Sequence, residues 1–143
     1  RPHPAWVATV LVVADEPGLR EVIAKELELA GYRTFTAAGG HEAWATVSAT
    51  DAPVLDFIVS DVRMAEGDGL ELLERIREAG LSSRTILMSG YSGLTPQQAR
   101  ARGAVDMLMK PFLIEDLLTL LTSLGTDHDL GHDLGQGRRE ESA

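Results

Sequence analysis

Four residues stand where an apolar run of this chain stops, and together they could handle a phosphoryl group. They are Asp15 after TVLVVA, Asp61 after FIVS, Ser89 after TILM and Lys110 after MLM. One carboxylate could attack phosphorus and a second could help hold a hard divalent cation. An ammonium would offset the charge that spreads over the phosphoryl oxygens, and a hydroxyl would hydrogen-bond them. Each residue alone has an ordinary explanation, since a strand-end Asp or Ser is commonly a turn residue. Their recurrence at the ends of successive apolar runs is what points to a site. If the runs are neighbouring parallel strands, all four residues reach one sheet edge, and the crevice beyond the carboxyl ends of such strands is where α/β sheets bind ligands.

The elements needed to place them there can be read from the pattern. Apolar runs alternate with helical periodicity, which predicts βαβ units and a parallel sheet. Val10–Val13 reads as the first strand. Pro17 opens a helix with apolar positions Leu19, Val22, Ile23, Leu27 and Ala30, and Gly31 ends it. Thr34–Thr36 is a short second strand, followed after Gly39-Gly40 by a helix carrying Ala43, Trp44 and Val47. Val54–Ser60 is the third strand, apolar apart from Asp56, as a sheet covered on both faces requires. The next helix runs from Gly69 to Ala79 with Asp68 at its N-cap and Leu72, Leu73 and Ile76 inward. Thr85–Met88 and Val105–Met109 are the fourth and fifth strands, separated by a helix from Thr95-Pro96 to Arg102. A last helix carries Leu113, Leu117, Leu120, Leu121 and Leu124 on one stripe and is expected to stop at Gly125. Beyond it, residues 125–143 read as a flexible polar tail. His128 and His132 have the i, i+4 spacing of a helical metal pair, but the segment lacks the apolar face a stable helix needs.

Composition bounds the function. The 143 residues suit one domain after an N-terminal extension over residues 1–8, and 44% hydrophobic content suits an ordinary globular fold. The net charge of −9 comes from 22 acidic and 13 basic residues, with no basic run longer than Arg138-Arg139, which argues against direct nucleic-acid binding. The longest stretch without charge or proline, Ala5 to Ala14, is half what a membrane helix needs, so no membrane insertion is expected. The absence of Cys leaves no disulfide or thiolate site and suits a cytoplasmic setting. A start at Arg1 rather than Met reads as a processed product or a piece of something longer.

Over roughly Thr9 to Leu124 these residues resemble the receiver domain of two-component response regulators. The resemblance implies a flavodoxin-like α/β fold, a five-stranded parallel sheet in order 2-1-3-4-5 with five helices. It implies that Asp61 is the phosphoacceptor and that Mg²⁺ is held by Asp15, Asp61 and the backbone carbonyl of Arg63. It also implies that Lys110 and Ser89 stabilise the phosphoryl group, with Ser89 moving inward as part of a switch. The Lys110-Pro111 bond is expected to be cis, as it usually is in the family. On this reading the chain is a switch that catalyses its own phosphorylation rather than a conventional enzyme. A metal-dependent phosphatase would need a second acid where Arg63 stands.

Four departures from the family stand out. Ala14 occupies the place of the first of two adjacent acids, which should weaken the metal site, with Glu16 close enough to compensate. Two charges about 4 Å apart interact by roughly 1 kcal/mol in water and about 4 at an effective dielectric of 20. Met107 stands where many members carry a switching Tyr or Phe. Ala65 replaces a common proline and should leave its loop looser. Arg63 and Tyr91, two beyond Asp61 and Ser89, occupy positions that tune phosphate lifetime in the family, and their bulk should slow its loss.

The partners implied are a histidine kinase or histidine phosphotransfer protein docking on the helix from Leu19 to Ala30, and a downstream protein or covalently linked domain. The face that would change is made by Thr95–Arg102, Met107 and the last helix. Ile114 and Leu118, off the main stripe of that helix, are a candidate partner or homodimer surface. A stand-alone regulator and a receiver excised from a larger protein both remain open. The competing reading is a degenerate receiver that acts as an interaction module without phosphorylation, favoured by Ala14 and Met107.

Overall fold

The computed structural model describes residues 6–90 and 93–134, with side chains described through residue 125. The elements in chain order are β1 (Thr9–Val13), α1 (Pro17–Leu29), β2 (Arg33–Ala37), α2 (Gly40–Ser48), β3 (Phe57–Asp61), α3 (Gly69–Glu78), β4 (Arg84–Ser89), α4 (Pro96–Ala101), β5 (Asp106–Met109) and α5 (Ile114–Leu134). All strand pairings are parallel, in the order β2-β1-β3-β4-β5. The expected topology is therefore the observed one.

The chain divides at Phe112 into two compact units, and the sheet with α1 to α4 belongs to the first. Leu11 and Val13 of β1 and Ile58 of β3 project to the face covered by α2 and α3, where they pack with Ala43, Val47, Leu72 and Ile76. Their neighbours Val10, Val12, Phe57 and Val59 are equally buried and, by the two-residue strand period, point the other way. Helix α1 contacts β1 and β2 and supplies none of its buried residues to the first cluster, so it covers that opposite face. A second cluster lies under α4, where Leu87 and Met107, paired in register, meet Val62, Leu73, Leu94, Ala99 and Ala104.

Local chemistry accounts for the boundaries. Asp68 caps α3, its carboxylate accepting from the Glu71 amide at 2.8 Å. Thr95 and Gln98 form a reciprocal capping box at the start of α4, and Pro96 fills the first helical position. Gly31 follows α1 at φ 100°, a left-handed conformation that costs glycine little. Asp56 interrupts its apolar run for a reason: its carboxylate accepts from the Thr9 amide at 2.8 Å and aligns the start of β1 with β3.

Several expectations need correction. β3 begins at Phe57 rather than Val54, which is 83% exposed in a loop behind Pro53. Val22 and Ala30 of α1 face solvent, and the buried positions are Ile23, Ala24 and Leu27. Leu113 is exposed and precedes α5, whereas Leu117 and Leu121, one turn apart, are buried. Gly125 does not end α5, which continues to Leu134 and takes in positions 128 and 132. A glycine inside a helix costs only about 1 kcal/mol relative to alanine, too little to stop a helix that its flanks support.

Candidate functional site

Strand register brings the four sequence-marked positions to one edge. Val13 is level with Ser60, Asp61 with Met88, and Ser89 with Met109. Asp15, Asp61, Ser89 and Lys110 therefore leave their strands within about two residue steps of one another, each step being about 3.3 Å. Single backbone bonds extend the ladders past the strand ends, from the Ala14 amide to the Ala37 carbonyl and from the Lys110 amide to the Ser89 carbonyl at 2.9 Å. The Lys110-Pro111 bond is cis.

A cleft of about 430 Å³ opens at this edge, lined by Asp61, Arg63, Met88, Ser89, Gly90 and Lys110. Asp61 is 4% exposed and Ser89 3%. Lys110 Nζ lies 2.6 Å from Asp61 Oδ1 and forms an ion pair with it. Burial pushes the Asp61 carboxyl above its ordinary value of 3.8, the Lys110 ammonium pulls it back, and the charges of Asp15 and Glu16 push the same way as burial. The net effect is upward. Burial and the neighbouring carboxylates thus oppose ionisation of Asp61, and Lys110 is the group that favours it.

Asp15 behaves differently. It is exposed at the same sheet edge, just beyond β1, and its Oδ2 accepts from the Ala65 amide at 3.1 Å. Ala14 beside it is fully buried, and its carbonyl accepts from Arg20 NH1 at 2.7 Å. Glu16 is exposed and precedes Pro17 without capping α1 through its side chain.

The donor set fits a hard divalent cation. Asp15 and Glu16 bear electrostatically on Asp61, and Lys110 is the positive charge opposing them. Among the described residues no group of three or more His, Cys, Asp or Glu side chains is arranged to hold a metal. Two carboxylates completed by a backbone carbonyl and water are what Mg²⁺ takes, whereas zinc or calcium sites demand more side-chain ligands.

The loop from Val62 to Asp68, behind Asp61, is fastened at several points. The Gly69 amide donates to the Val62 carbonyl at 2.8 Å, and the amides of Gly40 and His41 donate to the carbonyls of Gly67 and Glu66 at 2.8 and 3.0 Å. A side chain at Gly39 or Gly40 would run into the Glu66 or Gly67 carbonyl, and one at Gly69 into the carbonyl of Asp61. The expectation of a looser loop at Ala65 is corrected accordingly, because the residue that lacks a proline ring has kept an N–H that Asp15 engages. Sequence reasoning missed Arg20 and the Ala65 amide as contributors. The Gly39-Gly40 pair and the glycines of EGDG were the available signals for the tight loop contacts.

A family model described as the response regulator receiver domain matches residues 10–122. The chain belongs to this receiver family. Among curated relatives, this receiver is 31% identical over 109 residues to sporulation initiation phosphotransferase F of Bacillus subtilis, covering 76% of this chain and 86% of that protein. It is 34% identical to the transcriptional regulatory protein TrcR of Mycobacterium tuberculosis over 80% of this chain but 44% of that protein. It spans 23% of the DNA-binding transcriptional regulator NtrC of Azospirillum brasilense, at 32% identity over 80% of this chain. The receiver therefore spans less than half the length of these two transcriptional regulators. Among solved structures, chemotaxis protein CheY4 of Vibrio cholerae superposes with a TM-score of 0.71 at 32% identity, covering 83% of this chain and 98% of that one. TrrA of Thermotoga maritima, solved in complex with Mg²⁺-BeF, superposes with a TM-score of 0.70 at 29% identity, covering 82% and 98%.

Two switch and lifetime positions receive a structural account. Met107 is already buried, 5% exposed, in the cluster under α4, so it fills core rather than standing outside waiting to turn in. Arg63 is exposed and lines the cleft. Tyr91 lies outside the described residues.

Proposed function

We propose that this receiver accepts a phosphoryl group onto Asp61 from a histidine kinase or histidine phosphotransfer protein in a Mg²⁺-dependent step. The observation that carries the reading is the ion pair of buried Asp61 with partly exposed Lys110, both lining an open cleft. Asp61 Oδ1 is held by Lys110, which leaves Oδ2 to form the new O–P bond as the bond from phosphorus to the donor breaks and the leaving group departs with its electron pair. Lys110 neutralises charge on the phosphoryl oxygens, and the Ser89 hydroxyl hydrogen-bonds one of them after transfer. Asp15, Asp61 and the Arg63 carbonyl, with Glu16 nearby, would hold Mg²⁺, which would supply the positive charge that offsets repulsion between the Asp61 carboxylate and the phosphoryl group. Arg63, which lines the cleft, restricts the hydrolytic water.

Transfer would shift a pre-existing equilibrium of the α4–β5 face, which a downstream protein or linked domain reads. Val22, 58% exposed on α1, gives a kinase helix pair an apolar point of contact. Ile114 and Leu118, both half-buried, are the candidate homodimer contacts on α5. No described helix is long and apolar enough to cross a membrane, and the lack of Cys suits a cytoplasmic protein.

The degenerate reading draws on Ala14, whose carbonyl is already taken by Arg20, and on the buried Met107. Incubation with a small phosphodonor and Mg²⁺, followed by intact-mass measurement and peptide mapping, separates the two. A gain of about 80 Da on Asp61 supports the switch, and an unchanged mass supports the interaction module.

A further inference from the structure

The pairing of Asp15 with Ala65 involves one departure from the family directly, and lies next to another at Ala14. Asp15 is exposed on a loop, and an exposed carboxylate without an anchor samples several rotamers, so capturing a cation must first select one. Its neighbour Ala14 offers no carboxylate, is fully buried, and has its carbonyl tied to Arg20. The anchor that Asp15 does have comes from 50 residues away, the Ala65 amide at 3.1 Å from Oδ2. A proline at position 65 would have no such donor. The donor is also fixed in place, because residues 66 and 67 beside it are bonded to α2 and Gly69 is bonded back to Val62. Asp15 Oδ1, by contrast, makes no hydrogen bond among the described residues.

Resting on the Mg²⁺ reading above, we propose that the Ala65 backbone amide is a positioning group for the cation site. It presets the Asp15 carboxylate through one oxygen, leaves the other for the metal, and so restores part of the affinity forgone with the missing acid at position 14. It also links the β1 ligand mechanically to the loop that follows the phosphoacceptor. Neither loop alone could do this, since one supplies the charge and the other the donor.

Calorimetric titration of the full chain with MgCl₂ tests it. Ala65→Pro should weaken Mg²⁺ binding about five-fold, the range of one hydrogen bond to a carboxylate. Ala65→Ser, which keeps the N–H, should bind within about two-fold of the natural chain. The sign is decisive, because stiffening the loop with proline would by itself tighten binding by preorganisation. Equal or tighter binding by Ala65→Pro overturns the proposal. If Ala65→Pro does not fold, the amide resonance decides: the Ala65 proton should move upfield in Asp15→Asn more than those of its neighbours, and an unmoved resonance overturns the proposal. A natural chain that gives no Mg²⁺ heat overturns the cation reading and this proposal together, whereas Mg²⁺ binding indifferent to Ala65→Pro overturns only the latter.

Discussion

The two sides of the site are built on opposite principles. At the β3 and β5 ends, buried Asp61 and partly exposed Lys110 form an ion pair whose position is dictated by strand register. At the β1 end, Asp15 and Glu16 are exposed, and Asp15 is held by one hydrogen bond from a distant loop. Burial makes a charge expensive to leave unpaired and so fixes its partner, whereas exposure makes a charge cheap and adjustable. Chemistry at the acceptor side should thus tolerate almost no change, and the cation side should respond by degrees.

The sharpest way to break that contrast is at the acceptor. Asp61→Asn should abolish the gain of about 80 Da, and Lys110→Ala should slow labelling by about 10²-fold or more, both read by intact mass over time. If Lys110→Ala labels at the natural rate, the ion pair is structural rather than catalytic.

On the cation side the effects should be graded. Asp15→Asn should weaken Mg²⁺ about ten-fold in calorimetry, and Ala14→Asp should tighten it about five-fold, the factor set by a second charge near 4 Å in a largely aqueous setting. An Ala14→Asp chain that binds no better would mean that Arg20 or Glu16 already sets the local charge.

Stability gives a smaller and pH-dependent contrast. The Asp61 carboxyl is raised in the folded state, so the folded protein holds its proton to higher pH than the unfolded chain does. Below the ordinary value of 3.8 both states are protonated and Asp61→Asn should melt with the natural chain. As pH rises through the raised value the natural chain loses stability relative to Asp61→Asn, and the gap is full above it. Above the raised value the variant should melt higher by roughly 4 °C per kcal/mol relieved, measured by calorimetric melts across pH. A gap that shrinks as pH rises would reverse the assigned sign. The least effect belongs to Arg20→Gln, which removes a charged donor from the Ala14 carbonyl and should cost about 1 kcal/mol in urea melts.

Much of this contrast could be read before any coordinates. The alternation of apolar runs and amphipathic segments, together with Asp61, Ser89 and Lys110 at run ends, brought these three residues to one sheet edge, because register follows from strands that are buried throughout. The helix start at Asp68 was legible from its side-chain chemistry. The limits of β3 and α5 were not, since Val54 is apolar yet exposed and Gly125 is a helix breaker too weak to act alone. The anchoring of the cation side was illegible for a different reason. The Ala65 donor is a backbone group shared by every residue but proline, and its acceptor lies 50 positions away. Nothing in the sequence pattern marks Arg20, whose guanidinium donates to the Ala14 carbonyl.

The seam between α2 and the loop behind Asp61 has a practical consequence. The amides of Gly40 and His41 are spent on carbonyls of that loop rather than on solvent or on their own helix. They can trade hydrogen for deuterium only when the seam parts, so their exchange is a clock for backbone detachment behind the acceptor. Neither tryptophan serves that purpose, since Trp44 packs beneath Arg75 on α2 and Trp6 precedes β1, at the sheet end away from the cleft. Two glycine-rich turns thereby report whether a loaded acceptor loosens or tightens the chain around it.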